Sequence, residues 1–319
     1  MRSRVPSLLL LLGLLVAASG ALPVVPVGAV ACSTAPPLAS PATAPRTAFP
    51  LTVSDDAGRQ VTLRHAPQRI VSIAPSNTEI LFALGLEGKI VAVDQYSDYP
   101  PEARQKPQLG SYVEPDLEQI VAAAPDLVLA TGVHAETVVP ELESLRLTVA
   151  VINPGNLDEV LDGIGLVGRV TGEDARATIL ACELLERVDA VAERVAGAPR
   201  PRVFFELSPE LHTAGPGSFV DDLIARAGGQ NVAADAAEEW PQLSAEALIE
   251  KDPEVVLLAD HAVGATPEQV RARPGWQQMS AVEHDRLVPI DPDLTNRPGP
   301  RVVDGLEAIA LALHPERFP

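Results

Sequence analysis

Cysteines, aromatic residues and basic residues are all scarce in this chain of 319 residues. The two cysteines, Cys32 and Cys182, lie in very different surroundings and do not define a disulfide framework. Lysines and arginines number 24 against 43 acidic residues, a formal net charge of −19. This excess of acid excludes broad nucleic-acid binding, because such binding needs clustered basic side chains. Aromatic residues make up only 3% of the chain, so an aromatic residue in a predicted loop is a candidate for ligand recognition.

The common motifs of catalysis are also missing. The sequence has no G-x-S-x-G elbow, no H-E-x-x-H helix, no Walker loop and no C-x-x-C pair. Its histidines occur singly, without the short spacing typical of metal ligands. Catalysis is therefore poorly supported. A zinc or manganese receptor, with His134 and His212 meeting across a cleft, remains an alternative.

The N-terminal region has no charged side chain between Arg4 and Arg46. A basic start followed by an apolar run predicts that residues 1–31 are a signal peptide for export. The segment AVAC, ending at Cys32, resembles a bacterial lipobox, which would place a lipid on Cys32. The same Ala-Val-Ala also fits an ordinary cleavage site, which would release a soluble protein into the periplasm. Lipidation is favoured because residues 32–50 are rich in proline and predict an extended, disordered spacer, as a tethered protein needs.

Short β-branched runs alternate with amphipathic segments over the rest of the chain, which predicts an α/β fold with parallel sheets. We expect an N-terminal lobe at residues 51–156, linking helices at 157–199 and a C-terminal lobe at 200–319. Within the linking region, one long helix is predicted at about 173–196, with a single apolar stripe formed by Ile179, Cys182, Leu185, Val188, Ala192 and Val195. Ser76 and Glu79 are predicted to form a capping box on a helix of the first lobe.

A weak internal repeat relates the two lobes. Residues 116–130 align without gaps on residues 244–258, so that Glu118 falls on Glu246. Six residues before each glutamate stands an aromatic residue, Tyr112 in the first lobe and Trp240 in the second. The repeat preserves a helix, a proline stop and a strand in the same order, which predicts two structurally related lobes.

The run from Pro67 to Ala130 resembles the N-terminal lobe of periplasmic binding proteins for cobalamin and ferric siderophores. The segments WPQLSAEALIEKDPEVVLL and NRPGPRVVDGLEAIA are similar to the corresponding C-terminal motifs. This resemblance implies a substrate-binding protein of an ABC importer, with two Rossmann-like lobes joined by a single long backbone helix. It also implies no enzymatic activity and no cofactor besides the transported ligand. A monomer would deliver the ligand to a permease dimer.

The resemblance assigns roles to individual residues. Glu118 and Glu246 match the positions at which each lobe of the family docks an acidic side chain onto arginines of the permease. The positions that match ligand contacts in the interlobe cleft are Tyr96, Tyr112, His212, Trp240, Asp293, Asn296 and Arg297.

The motifs YSDYPP and WPQ favour cobalamin or a related corrinoid as the ligand. Flat aromatic walls with a few hydrogen-bonding groups suit a large macrocycle that is edged by amides. Some positions depart from this pattern, because His212 and the pair Leu294-Thr295 replace aromatic residues and Tyr112 replaces a tryptophan. A ferric siderophore or haem therefore remains an alternative, for which Arg297 and the tyrosines would be suitable partners.

Overall fold

The computed structural model describes residues 47–260 and 265–318. The predicted signal peptide, most of the spacer and the proposed lipid attachment site Cys32 lie outside these residues.

The strands are β1 Leu51–Ser54, β2 Gln60–Leu63, β3 Ile70–Ser72, β4 Ile90–Val93, β5 Leu127–Ala130, β6 Val149–Val151, β7 Arg202–Glu206, β8 Gln230–Asn231, β9 Val255–Leu258 and β10 Leu287–Pro289. The α-helices are α1 Pro75–Ala83, α2 Leu117–Ala122, α3 Val138–Ser144, α4 Leu157–Thr171, α5 Asp174–Val195, α6 Phe219–Arg226, α7 Ala245–Lys251, α8 Pro267–Arg271, α9 Ser280–Glu283, α10 Pro292–Thr295 and α11 Val302–Leu313.

Two four-stranded parallel sheets form the centres of two lobes. The N-terminal sheet has the order β4-β3-β5-β6 and the C-terminal sheet the order β8-β7-β9-β10, so the two lobes share one topology. Strands β5 and β9 are buried along their whole length, which explains their continuous apolar sequences, since strands of a parallel sheet are covered on both faces. The predicted fold class, two α/β lobes with parallel sheets joined by a long helix, is confirmed.

The internal repeat is visible in the geometry of each lobe. The turns after helices α2 and α7 contain Ala124 and Asp252, which both have a positive φ, of 46° and 44°. A proline follows each of them, and β5 or β9 begins two residues after that proline. An arginine side chain is hydrogen-bonded to each of these turns. Arg69 donates to the Ala124 carbonyl in the first lobe, and Arg202 donates to the Asp252 carbonyl in the second. The two segments are therefore equivalent in structure as well as in sequence.

Helix α5 spans 22 residues, or about 33 Å, and runs from the N-terminal lobe to the C-terminal lobe. At its start, Arg176 donates to the Leu84 carbonyl after α1, and further along Arg187 pairs with Asp304 and Glu307 on α11.

The predicted apolar stripe of α5 is only partly correct, because Val188 is buried and Leu185 and Val195 pack, partly buried, against the core. The buried residues are Ala177, Ala181, Leu184, Val188 and Val191, whereas Cys182 and the other predicted members are half-buried or exposed. Small residues face inward because α5 packs closely on α4, where Gly168 lies directly against the Ala177 side chain.

The predicted capping box is also wrong. Ala74 is the N-cap of α1, with Pro75 at the first helical position, and no side chain caps the helix. Glu79 instead reaches arginines of the C-terminal lobe.

Candidate functional site

The residues predicted to contact a ligand lie on loops at one edge of each sheet, where the parallel strands end. Open α/β sheets bind ligands at this carboxyl edge. Tyr96 follows β4, His212 follows β7, and Asp293, Asn296 and Arg297 follow β10. Tyr112 and Trp240 precede α2 and α7 but are held against loops of the same edge.

In the N-terminal lobe, the loops that carry Tyr96 and Tyr112 are hydrogen-bonded to each other. The Gln95 N–H donates to the Gly110 carbonyl at 2.9 Å. Asp94 shapes the Tyr96 loop, because its buried carboxylate accepts hydrogen bonds from the Tyr96 N–H and the Ser97 hydroxyl. Burial raises the pKa of Asp94.

In the C-terminal lobe, the loop that carries Trp240 pairs with the loop that carries His212. The Thr213 N–H donates to the Pro241 carbonyl at 2.9 Å and the Gly215 N–H donates to the Glu239 carbonyl at 2.8 Å. A side chain at Gly215 would collide with the backbone of residue 238, so glycine is needed for this close approach. The His212 ring lies on the surface and shares a hydrogen bond with Ser208 Oγ at 2.9 Å.

Each lobe presents an aromatic side chain of these loops to solvent. Tyr96 is 52% exposed and Trp240 is 48% exposed, whereas the other tryptophan, Trp276, is buried under Arg273. Aromatic surface left exposed on loops can gain free energy by covering a ligand.

The two lobes are joined near Tyr96 by five charged residues, here called the interlobe clasp: Glu79, Asp98, Asp293, Arg297 and Arg301. Arg301 binds Glu79 through two hydrogen bonds, of 2.6 and 2.9 Å. Arg297 pairs with Asp98 at 2.7 Å and with Asp293 at 2.9 Å. The structure thus places Arg297, a predicted ligand contact, in ion pairs between and within the lobes.

Glu79, Tyr99 and Arg301 also belong to this arrangement, although the sequence did not identify them as site residues. Glu79 is buried, and burial raises its pKa although the hydrogen bonds from Arg301 act in the opposite direction. The Arg301 guanidinium stacks 3.8 Å above the ring centre of Tyr99, a favourable cation–π arrangement. Only the YSDYPP motif, which contains Tyr99, signalled part of this arrangement.

A cavity of about 990 Å³ lies next to the clasp, whose Glu79 and Arg301 line it. Phe82 and Ala83 of α1 also line it, and Leu180 and Leu184 of α5 form one wall. None of the residues that line it is among the predicted ligand contacts.

Glu118 and Glu246 occupy matching surface positions. Each is the second residue of a helix, in α2 and α7, and each is exposed. The helices begin alike, because the side chains of Asp116 and Ser244 cap them.

His134, which a zinc or manganese receptor would need as a ligand, has both ring nitrogens occupied by hydrogen bonds. Both ring nitrogens of His134 bind backbone groups, the Thr131 N–H and the Tyr112 carbonyl. Across residues 47–260 and 265–318, no three side chains of His, Cys, Asp or Glu are grouped so that they could hold a metal ion.

As for the membrane, none of the helices in the described ranges combines the length and the apolar character needed to span a bilayer.

Comparison with known proteins finds one family. The model of a family described as periplasmic binding protein matches residues 70–294. The uncharacterized ABC transporter substrate-binding lipoprotein YvrC of Bacillus subtilis is 32% identical over 279 residues, covering 85% of this chain and 87% of that protein.

Solved structures of proteins named for different ligands are similar to this chain. The periplasmic vitamin B12-binding protein BtuF of Vibrio cholerae gives a TM-score of 0.68 at 29% identity, over 79% of this chain and 99% of its own. The periplasmic haem-binding protein RhuT of Roseiflexus sp. RS-1 gives 0.70 at 27% identity, over 78% and 99%. Overall similarity therefore does not distinguish these ligands.

The family match and the relative agree with the predictions of an extracytoplasmic binding protein that is not an enzyme, and both predictions are confirmed. The chain belongs to the periplasmic binding protein family and is a substrate-binding component of an ABC importer.

Proposed function

We propose that this protein captures cobalamin or a related corrinoid in the interlobe cleft and, as a monomer, delivers it to a permease dimer. The observation that carries this proposal is the pair of exposed aromatic side chains, Tyr96 and Trp240, on carboxyl-edge loops of the two lobes. Such surfaces suit the faces of a large macrocycle, while backbone and hydroxyl groups of the same loops suit its amide side chains.

The charges of the clasp support a ligand without strong negative charge. Arg297 and Arg301 are paired with Glu79, Asp98 and Asp293, so three carboxylates face two guanidinium groups. Haem carries propionates and many ferric siderophores are anionic, and both would benefit from an unpaired cation. Cobalamin has no such requirement.

The proposal is tested by titrating the purified protein with cyanocobalamin and following absorbance and heat. Trp240→Ala should weaken binding about 10- to 100-fold, as expected when a buried aromatic contact is lost. Leu311→Ala is a matched control, because Leu311 is 47% exposed but lies on α11, and its affinity should equal that of the wild type. Equal affinities for Trp240→Ala and the control would remove Trp240 from the site.

Haem is the second candidate, favoured by the exposed phenols Tyr96 and Tyr99. Tyrosine oxygen is a known axial ligand of haem iron. A haem titration of the wild type beside Tyr96→Phe and Tyr99→Phe decides this alternative. A charge-transfer band that one of the two substitutions abolishes would favour haem over cobalamin.

Docking to the permease is assigned to Glu118 and Glu246. What supports it is their equivalent, exposed positions, since two like contacts on related lobes can engage a two-fold symmetric partner together. Charge reversal at both sites should abolish uptake in vesicles that contain the permease while ligand affinity stays unchanged. Glu250→Lys is the matched control, because Glu250 is exposed one turn after Glu246 on the same helix. A loss of ligand affinity in the double variant would mean that these residues have another role.

Attachment to the outer face of the cell membrane is assigned to a lipid on Cys32. Cys32→Ala should move the protein from the membrane fraction to the soluble fraction after cell lysis. A Cys32→Ala variant that still sediments with membranes would exclude this anchor.

A further inference from the structure

His134 is a fully buried histidine on the carboxyl edge of the N-terminal sheet, and the proposed function does not yet use it. It lies in the short turn Gly132–His134 that follows β5. Its ring has two hydrogen-bond partners, one on each nitrogen. The Thr131 N–H lies 3.1 Å from Nδ1, and the Tyr112 carbonyl oxygen lies 2.5 Å from Nε2.

These partners fix the protonation state of the ring. Nδ1 receives a backbone N–H and must be unprotonated, whereas Nε2 faces a carbonyl oxygen and must carry the proton. The ring is therefore the neutral tautomer with hydrogen on Nε2. Burial lowers the pKa of His134 below its ordinary value of 6.5, which agrees with a neutral ring.

His134 supports Tyr112, which is assigned to the ligand cleft, from the interior of the lobe. The Tyr112 ring packs edge-on against the His134 ring with centroids 5.3 Å apart, and its hydroxyl lies 3.1 Å from Thr131 Oγ1. Beyond Tyr112 the chain turns outward, and Val113 and Glu114 are exposed. The hydrogen bond from Nε2 is thus the inward anchor of the Tyr112 backbone.

The equivalent aromatic residue of the other lobe is held differently. Trp240 lies on a loop fixed by backbone pairs, Thr213 to Pro241 and Gly215 to Glu239, which do not titrate near neutral pH. One wall of the cleft thus depends on a titratable side chain and the other does not.

We propose that His134 is a positioning residue for Tyr112 and makes capture of the ligand sensitive to acid. This inference rests on the proposed function as far as the ligand is concerned. Protonation of Nδ1 would set two N–H groups, those of His134 and Thr131, against each other. The ring would then leave its site, and Tyr112 would lose its anchor.

In the part of the chain that the structure describes, the hydrogen-bond partners and the ring contact of His134 are uncharged. The groups that contact it are the Thr131 N–H and hydroxyl, the Tyr112 carbonyl and the Tyr112 ring. The Tyr112 phenol is the other titratable group among them. Glu136, two residues after His134, is exposed.

Two substitutions separate the two hydrogen bonds. His134→Gln keeps an N–H donor near the position of Nε2, so it retains the bond to Tyr112 and does not titrate. His134→Asn keeps an acceptor near the position of Nδ1, so it retains the bond to Thr131 but does not reach Tyr112. Both are compared with the wild type in cyanocobalamin titrations between pH 5 and pH 8.

We expect the affinity of His134→Asn to be about tenfold weaker than that of the wild type at pH 8, the usual consequence of leaving a buried carbonyl without its donor. His134→Gln should bind nearly as well as the wild type at pH 8. The wild-type affinity should fall as the pH drops below the pKa of the buried ring, while the His134→Gln affinity stays level. Wild-type affinity in His134→Asn, or the same acid loss in His134→Gln as in the wild type, would overturn the proposal.

A second measurement needs no ligand and keeps the positioning role separate from the ligand assignment. Amide hydrogen exchange at residues 112–114 should be about tenfold faster in His134→Asn than in the wild type or His134→Gln. If cyanocobalamin fails to bind the wild type, the proposed function falls, but the exchange rates still decide whether His134 holds Tyr112. Equal exchange rates in all three proteins would overturn the positioning role.

Discussion

Glu206 and Arg273 form an ion pair beneath the ligand-side loops of the C-terminal lobe. Glu206, the last residue of β7, is fully buried and receives two hydrogen bonds from Arg273, of 2.6 and 2.7 Å. The guanidinium also stacks on the Trp276 ring, 4.6 Å from its centre. A buried pair of this kind is harmed most when one partner is removed, because the other charge is left without compensation.

Arg273→Met should therefore lower the free energy of unfolding by about 3–5 kcal/mol, measured by urea denaturation. The double variant Glu206→Gln with Arg273→Met should recover most of this loss. Lys251→Met is the surface control, since Lys251 pairs with the largely exposed Asp235 and its removal should cost no more than about 1 kcal/mol. A loss as small as that of the control would contradict the assigned role of the pair.

His134 provides a second prediction at the residue scale, in the pH dependence of stability. Its pKa is lower in the folded protein than its ordinary value of 6.5, so the unfolded chain binds more protons between the two values. The stability that His134 contributes is therefore complete above pH 6.5 and is lost as the pH falls through the folded pKa. Urea denaturation should show that the wild type loses stability relative to His134→Gln in this range. A constant difference between the two proteins would contradict a neutral buried ring.

At the residue scale, nearby sequence located loop residues correctly but did not reveal contacts with distant partners. Tyr96 and Trp240 were selected from local motifs, and both are exposed on loops. Glu79 was assigned to a capping box, but its partner Arg301 lies 222 residues further along the chain. No local pattern contains that information.

At the scale of elements, the hairpin of α4 and α5 depends on small residues at its closest point. Gly168 of α4 faces Ala177 of α5 so closely that a Cβ added at Gly168 would displace the alanine. The same Cβ would lie 3.4 Å from the Glu173 carbonyl oxygen. This contact explains why the buried stripe of α5 begins with alanines.

Gly168→Ala should lower the free energy of unfolding by about 1–3 kcal/mol through overpacking, although alanine is the better helix former. Adding Ala177→Gly should restore stability to within about 1 kcal/mol, because it removes the colliding methyl group. Ala190→Gly serves as the control on the exposed face of α5. In combination with Gly168→Ala it should lower stability further by about 1 kcal/mol. A stabilised Gly168→Ala variant would contradict the close packing of the two helices.

The long helix itself was predicted with almost its observed bounds, 173–196 against Asp174–Val195. The buried face of this helix was not predicted correctly. Periodicity alone favours the larger side chains, such as Ile179 and Leu185, as the inward stripe. The close approach of α4 brings small side chains of α5 inward instead. This approach depends on Gly168 of α4, which no pattern within α5 reveals.

At the scale of the molecule, the lobes meet through the clasp and through α5, with a cavity of about 990 Å³ between these contacts. The close approach of Gly299 to the Ser76 backbone adds to the contact at the clasp. The clasp is thus the part of the interlobe contact that lies next to the proposed ligand site.

Arg301→Met should weaken this contact by roughly 2 kcal/mol, because it leaves the Glu79 carboxylate buried without its partner. We expect a faster dissociation of the ligand in stopped-flow measurements and a larger radius of gyration in X-ray scattering. Arg187→Met is the control, since Arg187 joins α5 to α11 outside the clasp. Unchanged dissociation and scattering in Arg301→Met would show that the clasp does not hold the lobes together.

The architecture of the molecule was largely predictable, because two periodic α/β halves and a repeat fix the topology of each lobe. The contacts between the lobes were not, since Arg297 and Asp98 are 199 residues apart and nothing near either residue indicates the other. The proposed choice of ligand rests partly on these contacts, because they pair the arginines that an anionic ligand would need.

The most direct test of the account is a parallel calorimetric titration of the purified protein with cyanocobalamin, haem and an anionic ferric siderophore at neutral pH. The account predicts one binding site for cyanocobalamin, weakened by Trp240→Ala, and much weaker binding of the two anionic ligands. No heat and no absorbance change with cyanocobalamin at tens of micromolar, together with saturable binding of haem or the siderophore, would contradict it.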